Sequence, residues 1–246
     1  MRFELQRADF WKRISAFLFD AIMLVIIAVG VATLLSAVLK YDTYSDEYSS
    51  VQQEYYDKYG VDPDIPVEEQ KEVYDAAQAE FIRDERAIYN YTMLFNLTLI
   101  ILSFSLLIAY VVWEIVIPRF LGHGRTLGKK IFGLAVMRTN GVKVGGIVFF
   151  VRTVIGKYTI ETMVPLYFII MALFGSVGIM GIIMVVLLGI LEIFTIATTK
   201  TRSTIHDLVS DTVVVDMASQ MIFDSEEELI AYKTRIHEEE VRNKEY

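Results

Sequence analysis

The sequence contains no cysteine, which excludes disulfide bonds, thiolate nucleophiles and cysteine-ligated metal ions. Histidine is scarce as well: His123, His206 and His237 lie far apart, and none belongs to a His-x-x-His or His-Glu-x-x-His pair. A zinc enzyme is therefore not expected. Because the sequence also contains no recognisable nucleophile triad or cofactor loop, we predict no enzymatic activity, no catalytic residue, no metal and no cofactor.

Basic residues are the minority of the charged residues, with 23 Lys and Arg against 31 Asp and Glu. Nucleic-acid binding needs clustered basic residues, so we expect no nucleic-acid partner. The charges are segregated along the chain. Segment 40–91 contains fourteen acidic and five basic residues, whereas segment 118–157 contains eight basic residues and no acid.

Hydrophobic residues make up 54% of the chain and are concentrated in long blocks. About 20 apolar residues suffice to cross a hydrocarbon core about 30 Å thick. Four blocks have this character, at about 14–39, 92–117, 158–174 and 177–198, although Glu161 and Pro165 interrupt the third. We therefore predict an all-α integral membrane protein with a four-helix transmembrane bundle.

The distribution of Lys and Arg in the loops predicts the orientation of the spans. The first twelve residues, which suit a short helix on the membrane surface, are basic, as are segment 118–157 and the Lys200–Arg202 region. We predict a cell-membrane protein with both termini in the cytoplasm and the acidic segment 40–91 outside. A re-entrant third block would instead place the C-terminus outside, with the basic residues after the fourth block on the wrong side.

The acidic segment predicts an extracytoplasmic helical hairpin, which Pro63 and Pro66 divide near its middle and whose second half could continue into the next span.

Asn140-Gly141 is a hairpin-turn signal. We also expect residues 134–136 and 213–215 to pair as a small cytoplasmic sheet. The predicted segments are the surface helix and first span (1–39), the insert (40–91), the second span (92–117), a basic cytoplasmic loop (118–157), the third and fourth spans (158–198), a cytoplasmic His-Asp segment (199–216) and an acidic cytoplasmic tail (217–246).

Three motifs then occur in order along the chain, namely Phe10-Trp11-Lys12-Arg13 followed by Asp20, Gly124-Arg125-Thr126-Leu127-Gly128-Lys129-Lys130, and His206-Asp207-Leu208. Together they resemble the RDD family of membrane proteins, named for one arginine and two aspartates, which by position are Arg13, Asp20 and Asp207. The resemblance covers nearly the whole chain apart from the insert and the tail. It implies an inner-membrane protein with a suggested part in transport, which for some members is cation–proton exchange.

Asp20 lies inside the first span, where an ionised carboxylate costs a few kcal/mol on insertion scales. Arg13 is on the same helix face but about 10 Å away, so we expect each to bond to another segment. Candidate partners are Arg152, Lys157 and Asp207. Asp20 is either part of an ion or proton path, together with Glu114, Glu161 and Glu192, or a polar contact that fixes the helix register.

The other span carboxylates have simpler interpretations. Glu114 lies beside Trp113 near the end of a span, which is typical of interfacial residues. Glu161 follows Lys157 by four residues, so an ion pair along one helix is expected. Glu192 has no nearby basic residue in the sequence, which makes it a better functional candidate than Glu114.

The glycine-containing motif at 124–130 does not have the spacing of a phosphate-binding P-loop. We interpret it as a tight turn that presents Arg125, Lys129 and Lys130 to anionic lipids of the inner leaflet, at about 1 kcal/mol per basic residue. The expected partners are therefore the bilayer with its anionic lipids and either a second copy of the chain or another membrane protein.

Two functional hypotheses follow. In the first, the protein takes part in transport of a small cation or solute past Asp20 and Glu192, and the small number of spans favours a homo-oligomer. In the second, it is a non-catalytic accessory or scaffold subunit, which binds another membrane protein through the charged insert and tail.

Overall fold

The structure is a computed structural model that describes residues 8–175 and 177–244, with side chains as far as residue 242. The helices and strands in chain order are α1 (Phe10–Val38), α2 (Tyr41–Tyr59), α3 (Lys71–Phe81), α4 (Glu85–Val111), a π-helical segment (Val112–Val116), α5 (Ile117–Leu121), α6 (Leu127–Ile131), β1 (Leu134–Arg138), α7 (Gly146–Phe150), a second π-helical segment (Val151–Met163), α8 (Val164–Leu173), α9 (Gly178–Thr198), α10 (Ile205–Val209), β2 (Thr212–Asp216) and α11 (Glu226–Lys244). The chain is mostly helical with one small sheet, as the sequence predicts.

Four helical stretches are long and apolar enough to cross a membrane, namely Phe10–Val38, Glu85–Leu121, Gly146–Leu173 and Gly178–Thr198. The number agrees with the prediction, but two bounds differ. The second stretch begins at Glu85 instead of residue 92 and continues past Pro118. The third begins at Gly146 instead of residue 158, which makes it 28 residues long, enough to span. The predicted surface helix falls largely on residues 1–7, outside the described residues.

Each π-helical segment lies directly before a proline. Val112–Val116 precedes Pro118, and Val151–Met163 precedes Pro165. A proline has no N–H, and its ring crowds the carbonyl four residues earlier. Hydrogen bonds that span five residues instead of four relieve this conflict, which is one way that membrane helices tolerate proline. Pro118, which directly follows the predicted second span (92–117), therefore lies inside a helix.

The contacts divide the chain into two compact units, residues 28–105 and the remainder. In the unit of residues 28–105, α2 and α3 pack around Val51 and Phe81, with Tyr48 and Tyr55 against them. The predicted pair of helices in the insert is thus present, and its extracytoplasmic position remains a prediction. The insert is not continuous with the next span over its whole second half, because α3 ends at Phe81 and Asp84 accepts a 2.7 Å hydrogen bond from the Arg86 N–H, as an N-terminal cap of α4 does. Residues 85–91 alone continue into the span, as the first turns of α4.

In the other unit, β1 and β2 pair antiparallel, with Val136 opposite Val214. The predicted pairing of these two segments is confirmed. The Asn140-Gly141 turn is also present: the Asn140 side chain accepts from the Val142 N–H, and Gly141 has a φ of 96°. The chain after the turn forms an isolated bridge to β1, between Met137 and Lys143, whereas β2 pairs with β1 over its full length.

The acidic tail begins with ordered contacts before it becomes a solvated helix. Phe223 and Leu229 are buried against Val142, and the Lys143 N–H donates to the Phe223 carbonyl at 2.8 Å. The exposed part of α11 beyond these residues agrees with the helical charge pattern of the sequence.

Candidate charge network and cavity

Asp20 is buried, and its carboxylate accepts hydrogen bonds from three residues. The Trp113 indole N–H donates to Oδ1 at 3.0 Å, the Gly128 backbone N–H donates to Oδ1 at 2.9 Å, and the Thr126 hydroxyl donates to Oδ2. Lys129 Nζ lies 3.6 Å from Oδ2. The carboxylate is therefore held by donors on two segments outside α1, as its burial requires.

Gly128 is necessary for this contact. A Cβ atom at this position would lie 2.5 Å from the Ala16 carbonyl oxygen and 2.7 Å from Asp20 Oδ1. Thr126 caps the N-terminus of α6, with its Oγ1 3.4 Å from the Lys129 backbone nitrogen. The Gly124–Lys130 motif thus places backbone and hydroxyl donors against the first span, instead of only presenting basic side chains to lipid as predicted.

Several sequence predictions about this region are wrong. The partners of Asp20 are not Arg152, Lys157 or Asp207. Trp113 is 2% exposed and serves as a buried donor instead of an interfacial anchor. Lys129 is buried and does not face lipid. Arg125 donates to the Leu121 and Gly122 carbonyls at the end of α5, so among the three predicted lipid-facing residues Lys130 alone is exposed.

Glu114 is also buried, which corrects its interpretation as an interfacial residue. Its carboxylate lies 2.5 Å from Lys157 Nζ, 3.4 Å from Lys129 Nζ and 3.7 Å from Arg152 Nη1. Three basic side chains from two segments therefore surround one carboxylate. Such a cluster is tolerated in the interior only because each charge has a partner of opposite sign.

The π-helical geometry explains why Lys157 contacts Glu114 and not Glu161. Hydroxyl groups in this segment bond to carbonyls five residues earlier, as Thr162 does to the Lys157 oxygen at 2.8 Å. Residues five apart therefore share a face, and Arg152 and Lys157 both point to Glu114. The expected ion pair at a spacing of four is replaced by this arrangement.

Asp207, on α10, is fully buried. It accepts from Arg152 Nη2 at 2.9 Å and from Thr212 at 2.9 Å, and Arg13 Nη2 lies 3.8 Å away. The predicted contact between Arg13 and Asp207 is confirmed. Burial alone would raise the pKa of Asp207, but the charges of Arg152 and Arg13 outweigh it and hold the pKa well below its ordinary value of 3.8.

His206 joins Glu161 to this cluster. The His206 backbone N–H donates to Glu161 Oε1 at 2.7 Å, and its Nδ1 lies 2.8 Å from the same carboxylate. Arg152 Nη2, which can only donate, lies 3.1 Å from His206 Nε2, so Nε2 accepts and Nδ1 carries the proton. Burial lowers the pKa of His206 below 6.5, although Asp207 acts in the opposite direction, and the imidazole is neutral.

Glu192 differs from the other carboxylates. It is half-buried, and the Ile205 N–H donates to its Oε2 at 3.2 Å. Within the described part of the chain, Glu192 forms no ion pair with a basic side chain. This environment agrees with the sequence, in which Glu192 has no nearby basic residue.

The ion pairs form one continuous charge network, which runs Asp20–Lys129–Glu114–Arg152–Asp207–Arg13, with Lys157 joined at Glu114. A cavity of about 290 Å³ lies beside it. Residues of all four candidate spans line this cavity, among them Phe17, Glu114, Arg152 and Glu192. Among the described residues, no group of three His, Asp or Glu side chains could hold a metal ion.

The model of the RDD family matches residues 7–211. The chain belongs to the RDD family. Comparisons with curated proteins and with solved structures gave no match. In this RDD protein, Arg13, Asp20 and Asp207 all belong to the charge network: Arg13 contacts Asp207 directly, and Asp20 is joined to both through Lys129, Glu114 and Arg152.

Proposed function

We propose that this RDD protein is a non-enzymatic membrane protein that takes part in transport of a small solute through the cavity, with a proton bound and released at Glu192. The observation that supports this proposal is the cavity itself, because side chains of all four candidate spans line it and several of them are ionisable. Ionisable groups inside spans commonly mark substrate or proton pathways.

The contacts favour different roles for the predicted path residues. Asp20 and Asp207 each accept several hydrogen bonds and lie next to basic side chains, so a moving cation would have to displace these partners. Glu161 is bonded to His206. We therefore assign these three, with Arg13, to holding the helices in position. Glu192 can take up a proton without the loss of an ion pair.

The distribution of charge supports the remaining parts of the proposal. We place the protein in the cell membrane with both termini in the cytoplasm, because Lys and Arg are frequent in segment 118–157 and after α9. Four spans are few for a transporter, so we propose a homo-oligomer. Lys130 is the exposed basic residue of the motif at 124–130 that remains available to anionic lipid.

Proteoliposomes that enclose a pH-sensitive dye would test the transport proposal. We expect proton flux when a transported solute is added, and loss of this flux in Glu192→Gln, whose amide oxygen can still accept from Ile205. Glu239→Gln, a change at an exposed position of α11, is the matched control and should keep the flux. The proposal fails if no solute in a broad panel drives flux or if Glu192→Gln leaves the flux unchanged.

A second candidate function is that of an accessory or scaffold subunit. It is favoured by the insert, in which α2 and α3 have their own buried core around Val51 and Phe81 and a charged surface. Such a module suits a protein partner better than passage of a solute. Affinity purification from native membranes should then recover a stoichiometric partner that is lost when residues 42–82 are deleted, and recovery of the chain alone would contradict this role.

A further inference from the structure

The lining of the cavity includes a large apolar part. Phe10, Ile14 and Phe17 come from one face of α1, at the spacing of three and four residues that places side chains on the same side of a helix. Ile196 of α9 adds to this surface, as do Leu134 and Val214 from the two strands. A ligand of this cavity would therefore bury a hydrocarbon part against these side chains.

The charged part of the lining has an excess of basic groups. Five basic side chains line the cavity against four carboxylates; they are Arg13, Lys129, Arg152, Lys157 and Arg202 against Asp20, Glu114, Glu192 and Asp207. His206 also lines the cavity but is neutral. When Glu192 carries a proton, the excess of positive charge increases.

Arg152 has an unused donor in this lining. Its side chain is 1% exposed, and among the described residues Nη1 has no hydrogen-bond acceptor, although Glu114 Oε2 lies 3.7 Å away. Nearly all buried polar atoms in proteins have a hydrogen-bond partner, so a buried guanidinium N–H without one calls for an acceptor. An anionic oxygen in the cavity would be the natural acceptor.

Arg202 and Arg13 provide further positive charge. Arg202 forms no ion pair within the described part of the chain, and its guanidinium carbon lies 5.8 Å from the centre of the Phe10 ring. Arg13 donates to the Thr201 and Arg202 carbonyls and is 3.8 Å from Asp207, a longer distance than that of a hydrogen-bonded ion pair.

We propose that the cavity binds an amphipathic organic anion, with its carboxylate or phosphate at Arg152, Arg13 and Arg202 and its hydrocarbon part against the apolar side chains of α1 and α9. This inference rests on the proposed function and names the class of solute. The volume of about 290 Å³ is close to the lower limit of about 300 Å³ for small-molecule sites, which favours a short chain. An inorganic cation suits this cavity less well, since three of the four carboxylates already have basic partners.

Three probes with the same six-carbon chain separate the charge requirement from the apolar contribution. Binding of hexanoate, hexylammonium and hexanol to the full-length protein in phosphatidylcholine nanodiscs is measured by calorimetry. We expect hexanoate to bind at least ~tenfold more tightly than either of the others. The inference is overturned if hexylammonium binds as tightly as hexanoate, or if hexanoate does not bind.

Arg202→Gln tests the assignment of the anion site with little risk to folding, because the side chain is exposed and has no ion pair. We expect weaker hexanoate binding at an unchanged melting temperature, with retention in Arg202→Lys. Arg242→Gln, on the exposed surface of α11, is the matched control and should bind as the native protein does. Equal affinities in Arg202→Gln and Arg242→Gln would contradict the role of Arg202.

A lipid headgroup offers the same chemistry as a free acid, and nanodisc composition distinguishes the two sources. If phosphatidylglycerol in the nanodisc competes with hexanoate, the occupant is a lipid phosphate. If phosphatidylglycerol does not compete, the occupant is a soluble acid. Binding of hexanoate without any proton-coupled flux would leave this inference standing and overturn the proposed function. Proton flux driven by an organic cation but not by hexanoate would support the proposed transport function and overturn the inference of an anion site.

Discussion

At the scale of single residues, the aspartates of the charge network act through different kinds of partner. Asp20 is held mainly by neutral donors, from Trp113, Thr126 and Gly128, whereas Asp207 is held by arginines and by Thr212. Both carboxylates are buried, and both close a contact between segments that are distant in sequence. Removing either charge would therefore leave donors buried and unpaired.

Replacing Asp20 with asparagine should destabilise the fold. The amide would place an N–H₂ group among donors and would leave Lys129 with Glu114 as its remaining acidic partner. We expect a loss of about 3 kcal/mol or more, the usual effect of removing one member of a buried ion pair. Thermal unfolding of the purified protein in detergent measures it, with Asp46→Asn at an exposed position of α2 as the control. Equal melting temperatures for the two variants would show that Asp20 is not structural.

The neutral His206 predicts how stability depends on pH. Its pKa is lowered by burial from 6.5 in the unfolded chain, so the unfolded state binds more protons near that pH. The stability contribution is present above pH 6.5 and is lost as the pH falls. Between about pH 7.5 and about pH 5.5 the free energy of unfolding should fall by at most about 1.4 kcal/mol per pH unit, and the melting temperature should fall with it.

His206→Gln is the informative variant for this prediction. Glutamine can donate to Glu161 and accept from Arg152, as the neutral imidazole does, but it does not titrate. The melting temperature of the variant should depend less on pH over the same interval. His237→Gln, in the exposed part of α11, should retain the native dependence, and a variant at His206 that behaves in the same way would refute the assignment.

The residue contacts divide clearly into those that the sequence predicts and those that it does not. The Arg13–Asp207 contact could be predicted because the arginine of the first motif and the aspartate of the third both need partners. The Trp113–Asp20 contact could not, because a tryptophan near the end of a span is compatible with both an interfacial and a buried position. Only the packing of the first π-helical segment against α1 decides between the two.

At the scale of elements, the two π-helical segments determine which side chains meet. Glu114 lies in the first, and Arg152, Lys157 and Glu161 lie in the second. The prolines that follow these segments are visible in the sequence, but the change from a four-residue to a five-residue repeat is not. For this reason the sequence pairs Lys157 with Glu161 instead of Glu114. The third span begins earlier than predicted because Arg152 and Lys157, which suggest a loop, form ion pairs inside the helix.

Gly156 of the second π-helical segment allows α10 to approach. A Cβ atom there would lie 2.5 Å from His206 Cβ and 2.7 Å from His206 Cα. Gly156→Ala should therefore destabilise the protein by about 1–3 kcal/mol through overpacking. Gly189→Ala is the matched control: it lies in α9 with nothing within 4 Å of the added atom, and it should be neutral or stabilising by about 0.5–1 kcal/mol. Comparable melting temperatures for the two variants would refute the close contact.

At the scale of the whole molecule, two compact units share one chain that crosses the membrane in the proposed arrangement. The cavity lies in the unit that contains Phe10–Ile27 and the residues from Leu106 onward, whereas the insert belongs to Ala28–Ser105. Hydrophobic blocks and loop charges were enough to predict four spans and the insert. The cavity could not be predicted, because its lining comes from segments distributed over nearly the whole sequence.

The absence of cysteine makes the orientation of the chain directly measurable, because each introduced cysteine is then the sole thiol. We would place single cysteines at the exposed positions Asp64, Lys130 and Glu239 and label intact cells with a membrane-impermeant maleimide.

Four spans with both termini inside require labelling of Asp64→Cys in intact cells, and of Lys130→Cys and Glu239→Cys only after permeabilisation. Labelling of Glu239→Cys from outside, with Lys130→Cys protected, would mean that one of the last two candidate spans does not cross. The basic residues Lys200 and Arg202 would then lie outside, against the charge distribution on which the predicted orientation depends.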